Sequence, residues 1–215
     1  MNAADDGFRA FGHTGAPEHP LAPEHARVDG RPRIPPGQSV TRGFPVLHVG
    51  SVPTCDLADW TLSVTGAVEH PLRLDGEAFR REVWREQRSD FHCVTGWSRL
   101  DCRWRGVPLS DLIRKAAPAR GAAWVLLLDG RGYGADVPLE VALDKDTLLA
   151  AELDGVPLEP RHGGPCRVVI PDLYGWKSTK WLREVRILER PASGYWEARG
   201  YHPRGDPWLE ERVVG

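Results

Sequence analysis

The apolar residues of this chain come in short runs, each closed by glycine, proline or a charged cluster. Runs of this length suit strands and short helices, and none approaches the eighteen or so residues of a membrane span. Trp60 to Thr65 alternates and reads as a strand. Arg88 to Val94 reads as a strand ending at a cysteine, and Trp124 to Leu128 as a buried strand. Thr147 to Leu153 and the run from Val156 flank Asp154-Gly155, a hairpin signal because a type I′ turn needs positive φ. Arg167 to Ile170 and Val185 to Leu188 add two more strands. Asp75 can N-cap a short helix through about Val83. Pro108 to Ala116 suits a helix with Leu109, Leu112, Ile113 and Ala116 on one face. There is no internal repeat and no βαβαβ alternation. The pattern predicts an α+β fold of mixed sheets with short connecting helices.

Two segments are expected: a Pro/Gly-rich tail over 1–38 and one domain over 39–215. The tail cannot bury enough surface to offset its ordering entropy, but it can drape over the domain in extended form. Its His13, His19 and His25 recur every six residues; a weak metal-binding tail is one reading, and chance in a polar linker is the favoured one. The segment Gly194 to Trp208 is too aromatic for a free tail and too broken for a helix, so it should wrap the domain and pack its rings down. Lys plus Arg number 28 and Asp plus Glu 30, for a formal charge of −2. That balance argues against a general nucleic-acid binder. The nine tryptophans fit large walled pockets or core filling. The four cysteines form no CxxC pair, which argues against a zinc knuckle or a thioredoxin-like site. The first residues carry no basic and apolar leader, so a cytoplasmic location with reduced thiols is expected.

Two stretches could carry chemistry. In Ser89-Asp-Phe-His-Cys-Val-Thr-Gly-Trp-Ser98, Cys93 ends an apolar strand beside His92, where a thiolate can be held rigidly. A buried structural cysteine is the alternative. In the stretch from Arg161 to Trp181, Arg161, His162 and Arg167 precede a buried strand, and Lys177 and Lys180 follow it. Gly163, Gly164 and Gly175 let backbone N–H groups approach a ligand. Charge-assisted donors and open backbone are what an anionic, phosphate-bearing ligand requires. Neither GxxxxGK[ST] nor GxGxxG is present. A solvated basic face is the alternative.

Together these motifs resemble the sulfite oxidase family of molybdenum enzymes, in its molybdopterin-binding domain. The resemblance is carried by FHCVTGWS (91–98), DGRGYGADVPLEVAL (129–143) and HGGPCRVVIPDLYGWKSTKWL (162–182). The ending GYWEARGYHPRGDPWLEER (194–212) is similar to that of small single-domain members. The resemblance implies a sulfite-oxidase-like fold and a molybdenum–molybdopterin cofactor. It implies Cys93 as the metal's protein ligand and catalytic centre. The implied cofactor contacts are His48, His92, Asp129, His162, Arg167, Gly175, Trp176, Lys177 and Lys180. The expected activity is two-electron oxygen-atom transfer on a small substrate, with electrons exchanged with an external carrier or redox subunit. A cofactor-binding subunit or sensor with little activity is the competing reading. A Cys93–His92 hydrolase is a poor third, because adjacent strand residues face opposite sides. At the positions where the family's sulfite oxidases hold substrate arginines, this chain has Trp97 and Ser98, and Leu47. Arg42, Arg99 and Arg103 are the candidates to replace them in space.

Overall fold

The computed structural model describes residues 29–214; the three tail histidines lie outside them. In chain order the strands are β1 (Ser39–Val40), β2 (Thr61–Gly66), β3 (Leu72–Asp75), β4 (Arg85–Cys93), β5 (Trp97–Pro108), β6 (Trp124–Leu128), β7 (Gly134–Pro138), β8 (Leu148–Leu153), β9 (Val156–Pro157), β10 (Arg167–Val169) and β11 (Glu184–Leu188). Three short helices connect them: α1 (Gly76–Arg81), α2 (Leu109–Ala116) and α3 (Leu139–Ala142). The α+β reading holds, with mixed sheets and few short helices.

One sheet runs β3-β2-β11-β6-β7, with β2 and β11 parallel and the other pairs antiparallel. The second, six-stranded sheet runs β1-β5-β8-β10, with β4 on β5 and β9 on β8. The main core lies against the first sheet and α2, where Leu109, Leu112, Ile113 and Ala116 are fully buried on the expected face. Asp75 caps α1 by accepting from Ala78 N at 2.7 Å. The β8–β9 turn places Asp154 at φ 54° and Gly155 at φ 85°, as the hairpin signal required. A smaller aromatic core of Phe91, Trp97 and Trp104 lies in the second sheet, with Phe44 packed against it.

Both ends of the described chain pack onto this body. Arg33 pairs with Asp90 at 2.6 Å and with Asp101 at 2.6 Å. Trp208 Nε1 donates to Pro32 O at 2.7 Å. Residues 29–38 therefore already lie against the domain expected from Ser39. The wrapping role of the C-terminal segment also holds: Trp208 is buried, and Tyr195 stacks on Tyr133 at 5.7 Å. No helix among the described residues is long and apolar enough to cross a membrane.

Candidate active site

Strand β4 delivers Cys93 as its last residue, paired with Trp97, while His92 pairs with Ser98. Successive strand residues face opposite sides. Cys93 accordingly opens on a cavity of about 610 Å³. His92 turns away from it: Nδ1 meets Ser98 Oγ at 2.8 Å and the ring packs edge-on against Trp208. The two cannot share a proton, so a hydrolase pair has no geometry here. Cys93 Sγ lies 3.2 Å from Thr95 Oγ1. Burial pushes its pKa up, and the bond to Thr95 and the charge on Lys180 oppose that.

Two cations reach the same cavity. Arg167 opens β10 and is 1% exposed. Its guanidinium lies 5.0 Å from the Phe91 ring centre, 5.7 Å from Phe44 and 5.6 Å from Trp104. It donates to the carbonyls of His162 at 2.9 Å, Ser178 at 3.1 Å and Val168 at 3.3 Å. Burial lowers its pKa to about 10. Lys180 Nζ donates to Leu47 O at 2.9 Å and Arg161 O at 2.8 Å. Burial, and then the like charge of Arg167, lowers its pKa to about 7. Neither cation pairs with a carboxylate among the described residues. Buried positive charge of this kind is costly unless an anion compensates it. A thiol facing two such cations across one cavity fits an anionic cofactor that also carries a soft metal–sulfur centre.

His162 stacks on Phe44 at 5.0 Å and its Nε2 meets Phe44 O at 3.0 Å. Burial lowers its pKa. His48 stands edge-on to Trp181 at 5.8 Å. Gly175 N donates to His92 O at 2.8 Å. A Cβ at Gly175 would fall 2.6 Å from the Phe91 ring, so only glycine lets the two segments approach. Trp176 stacks on Tyr174 and donates through Nε1 to Glu197 Oε1 at 3.2 Å. All four of these residues line the cavity.

Three expected contacts do not reach it. His92 faces away, as described. Asp129 accepts from Arg131 N at 2.7 Å and Tyr133 N at 2.9 Å. Its carboxylate closes the glycine-rich turn and delivers Tyr133 to the cavity wall. Lys177 is fully buried. Its Nζ donates to Asp136 O at 2.8 Å and Pro203 O at 2.5 Å, and pairs with the Glu197 carboxylate. Its three protons are engaged behind the wall, so it has none left for a phosphate.

The sequence reading missed Tyr133, Tyr195, Trp196 and Tyr201, all of which line the cavity. Burial and the nearby Cys93 push the Tyr201 pKa up. Aromatic density in 194–201 was the available signal. Leu47 and Trp97 also line the cavity, whereas Ser98 does not. None of the three candidate replacement arginines joins them. Arg99 pairs with Asp154 and lies over Phe44 at 5.4 Å. Arg42 and Arg103 are exposed away from the cavity.

A sheet-rich body that aims one thiol, one buried cation and one half-buried cation into an aromatic cavity defines a site suited to an anionic cofactor. Comparison with known proteins gives the family. Residues 49–196 match the oxidoreductase molybdopterin binding domain, and the chain belongs to that family. The Bacillus subtilis oxidoreductase YuiH is 45% identical over 183 residues, covering 85% of this chain and 92% of YuiH. The catalytic subunit of the protein-methionine-sulfoxide reductase MsrP from Xanthomonas axonopodis is 30% identical over 192 residues, covering 75% of this chain and 59% of MsrP. An NADPH nitrate reductase of Fusarium oxysporum is 28% identical over 180 residues, and the chain spans only 20% of it. The sulfane dehydrogenase SoxCD of Paracoccus pantotrophus shares the fold, with a TM-score of 0.62 at 24% identity over 67% of this chain and 42% of that one.

Proposed function

We propose that this chain holds a molybdenum–pyranopterin dithiolene with Cys93 as its sole protein ligand. On this reading it performs two-electron oxygen-atom transfer on a small uncharged substrate. The observation that carries the reading is that Cys93 Sγ shares its cavity with buried Arg167 and half-buried Lys180, neither of which has a carboxylate partner among the described residues. When bound, the cofactor supplies the redox-active metal and two further sulfurs. Arg167 and Lys180 would hold its anionic end, with His162 and His48 as polar contacts and Gly175 and Trp176 along its side. Phe44, Phe91 and Trp97 exclude water around the thiolate and shape an apolar approach for substrate. The sulfoxide chemistry in the name of MsrP supports a sulfoxide as the substrate class. That protein is also named as a catalytic subunit, which supports electron exchange with an external partner. The four cysteines are free thiols, in keeping with a reducing, cytoplasmic setting.

The test is metal and pterin analysis of protein made in a molybdenum-competent host, followed by sulfoxide turnover with an artificial electron carrier. Molybdenum, pterin and turnover together support the reading. Loaded protein without turnover favours a cofactor-binding subunit or sensor. Protein that takes up neither molybdenum nor pterin overturns it.

Two outcomes follow from the cavity. Each charge-assisted contact contributes about 1.5–3 kcal/mol, so Arg167→Ala should weaken pterin retention about tenfold or more. Pterin content after purification measures this directly. Sulfite should be a poor substrate: on this reading Arg167 and Lys180 are taken up by the cofactor's anionic end, and no further arginine lines the cavity beside Leu47 and Trp97 to match a compact dianion. Sulfite-dependent reduction of ferricyanide should give kcat/KM below about 10⁴ M⁻¹s⁻¹, the lower end of ordinary enzymes. A higher value would show that an arginine folds back to rebuild the anion pocket.

A further inference from the structure

We infer that Gln38 is a positioning residue for Cys93, anchored by Ser98; the inference rests on the reading of Cys93 as the metal's ligand. Gln38 precedes β1, before the stretch that matches the family. Its Nε2 donates to Cys93 O at 3.1 Å, and its Oε1 accepts from Ser98 Oγ at 3.3 Å. Ser98 Oγ in turn meets His92 Nδ1 at 2.8 Å. The bonds form one chain, His92–Ser98–Gln38–Cys93, that begins and ends on neighbouring residues of β4. It fixes the side chain before the cysteine and the carbonyl of the cysteine itself.

The rest of the turn is held in the same way. β1 pairs in parallel with β5 through Ser39↔Trp97 and Val40↔Ser98. Ser39 N donates to Gly96 O at 2.9 Å, and Thr41 N to Ser98 O at 2.9 Å. From the other end of the chain, the Arg212 guanidinium donates to Val94 O. Every residue of the turn from Cys93 to Trp97 except Thr95 is therefore paired to, or hydrogen-bonded by, a terminal segment. Upstream, Arg33 fastens the N-terminal segment to Asp90 and Asp101. Ser98 stands where the family's sulfite oxidases are expected to carry a substrate arginine. Here it faces inward, at 0% exposure, and works on the backbone of the thiol instead. A metal–sulfur bond depends on the direction of the sulfur, and hydrogen-bonded outer residues set that direction.

The test uses full-length protein with Cys55→Ser as background, because Cys55 is half-buried and more exposed than Cys93, and would compete for the reagent. In cofactor-free protein, the rate of Cys93 modification by a disulfide reagent is compared for Gln38→Met, Ser98→Ala and the double variant. Losing one such hydrogen bond should raise the rate about fivefold. The double variant should be no faster than the faster single, because both substitutions break one chain. Gln38→Glu keeps the acceptor for Ser98 and loses the donor to Cys93, so it should behave as Gln38→Met does. In loaded protein, Gln38→Met should shift the sulfur-to-metal absorption band without lowering metal content. Unchanged labelling in all variants at unchanged melting temperature overturns the inference, as does additivity in the double variant. Failure of the ligand reading itself shows separately: Cys93→Ser would then leave the absorption band of loaded protein untouched.

Discussion

Cys93→Ala should abolish redox turnover while leaving the fold and the melting temperature nearly unchanged. The two halves of this result have different physical sources. The sulfur borders an open cavity, so removing it enlarges existing space rather than creating a void in close-packed core, and the cavity cost is small. The ligand role proposed for it has no substitute within reach. Cys102 and Cys166 are fully buried in the two cores, where burial drives the Cys102 thiol up to about 12 and the Cys166 thiol higher still. Neither can turn to the cavity without unpacking a strand. Turnover with an artificial carrier, together with a thermal melt, checks both halves. Loss of activity in Cys102→Ala with Cys93→Ala still active would show that Cys93 is the wrong thiol.

Lys177→Met should lower stability by about 3–5 kcal/mol, the usual cost of removing one partner from a buried ion pair. For a chain of this size that is a fall in melting temperature of about 6–20 °C. The reason is the company Lys177 keeps. Asp136 and Glu197 are both buried against it, and Asp136 Oδ1 lies 3.6 Å from Nζ. Asp136 Oδ1 and Glu197 Oε2 make no hydrogen bond, so the ammonium is their main compensation. Burial already pushes the Asp136 pKa up, and the charge of Lys177 opposes that, so without the lysine its carboxylate would be driven further toward the protonated form. Pterin content per folded chain should change far less than in Arg167→Ala, because Lys177 makes no contact with the cavity. A variant that melts normally but loses pterin would restore Lys177 as a cofactor anchor.

The placement of Lys177 shows what the sequence could and could not convey. A cation two residues after Gly175 in a basic stretch reads as a ligand contact, because its partners Asp136 and Glu197 lie far away along the chain. Only the folded chain brings them together. Strand β5 was overlooked for another reason. Asp101, Arg103 and Arg105 point out while Cys102, Trp104 and Gly106 point in, a period of two that the charge density disguised. Gly106 adds to the disguise, since glycine weakens strands. It is required there: a Cβ would fall 1.9 Å from Leu149 O. β7 is buried along nearly its whole length and opens with Gly134, so no alternation marks it. What could be read was local: the Asp75 cap, the amphipathic face of α2, the Asp154-Gly155 turn and the strand that ends at Cys93. Arg167 was legible as a cation beside a buried strand, but its cage of Phe44, Phe91 and Trp104 was not.

That cage ties folding to loading. A guanidinium surrounded by three rings and three carbonyls keeps its charge at a cost that the folded chain bears and the unfolded chain does not. An anion seated against it binds the native state alone, so its affinity enters the folding equilibrium as a mass-action term. At a hundredfold excess over its dissociation constant the gain is about 2.7 kcal/mol. Supply of the cofactor and survival of the polypeptide thereby become one variable. On the proposed reading, a host starved of pterin would hold less of this protein, because more of it would be open to proteolysis, by the same equilibrium that leaves a well-supplied host with loaded chains.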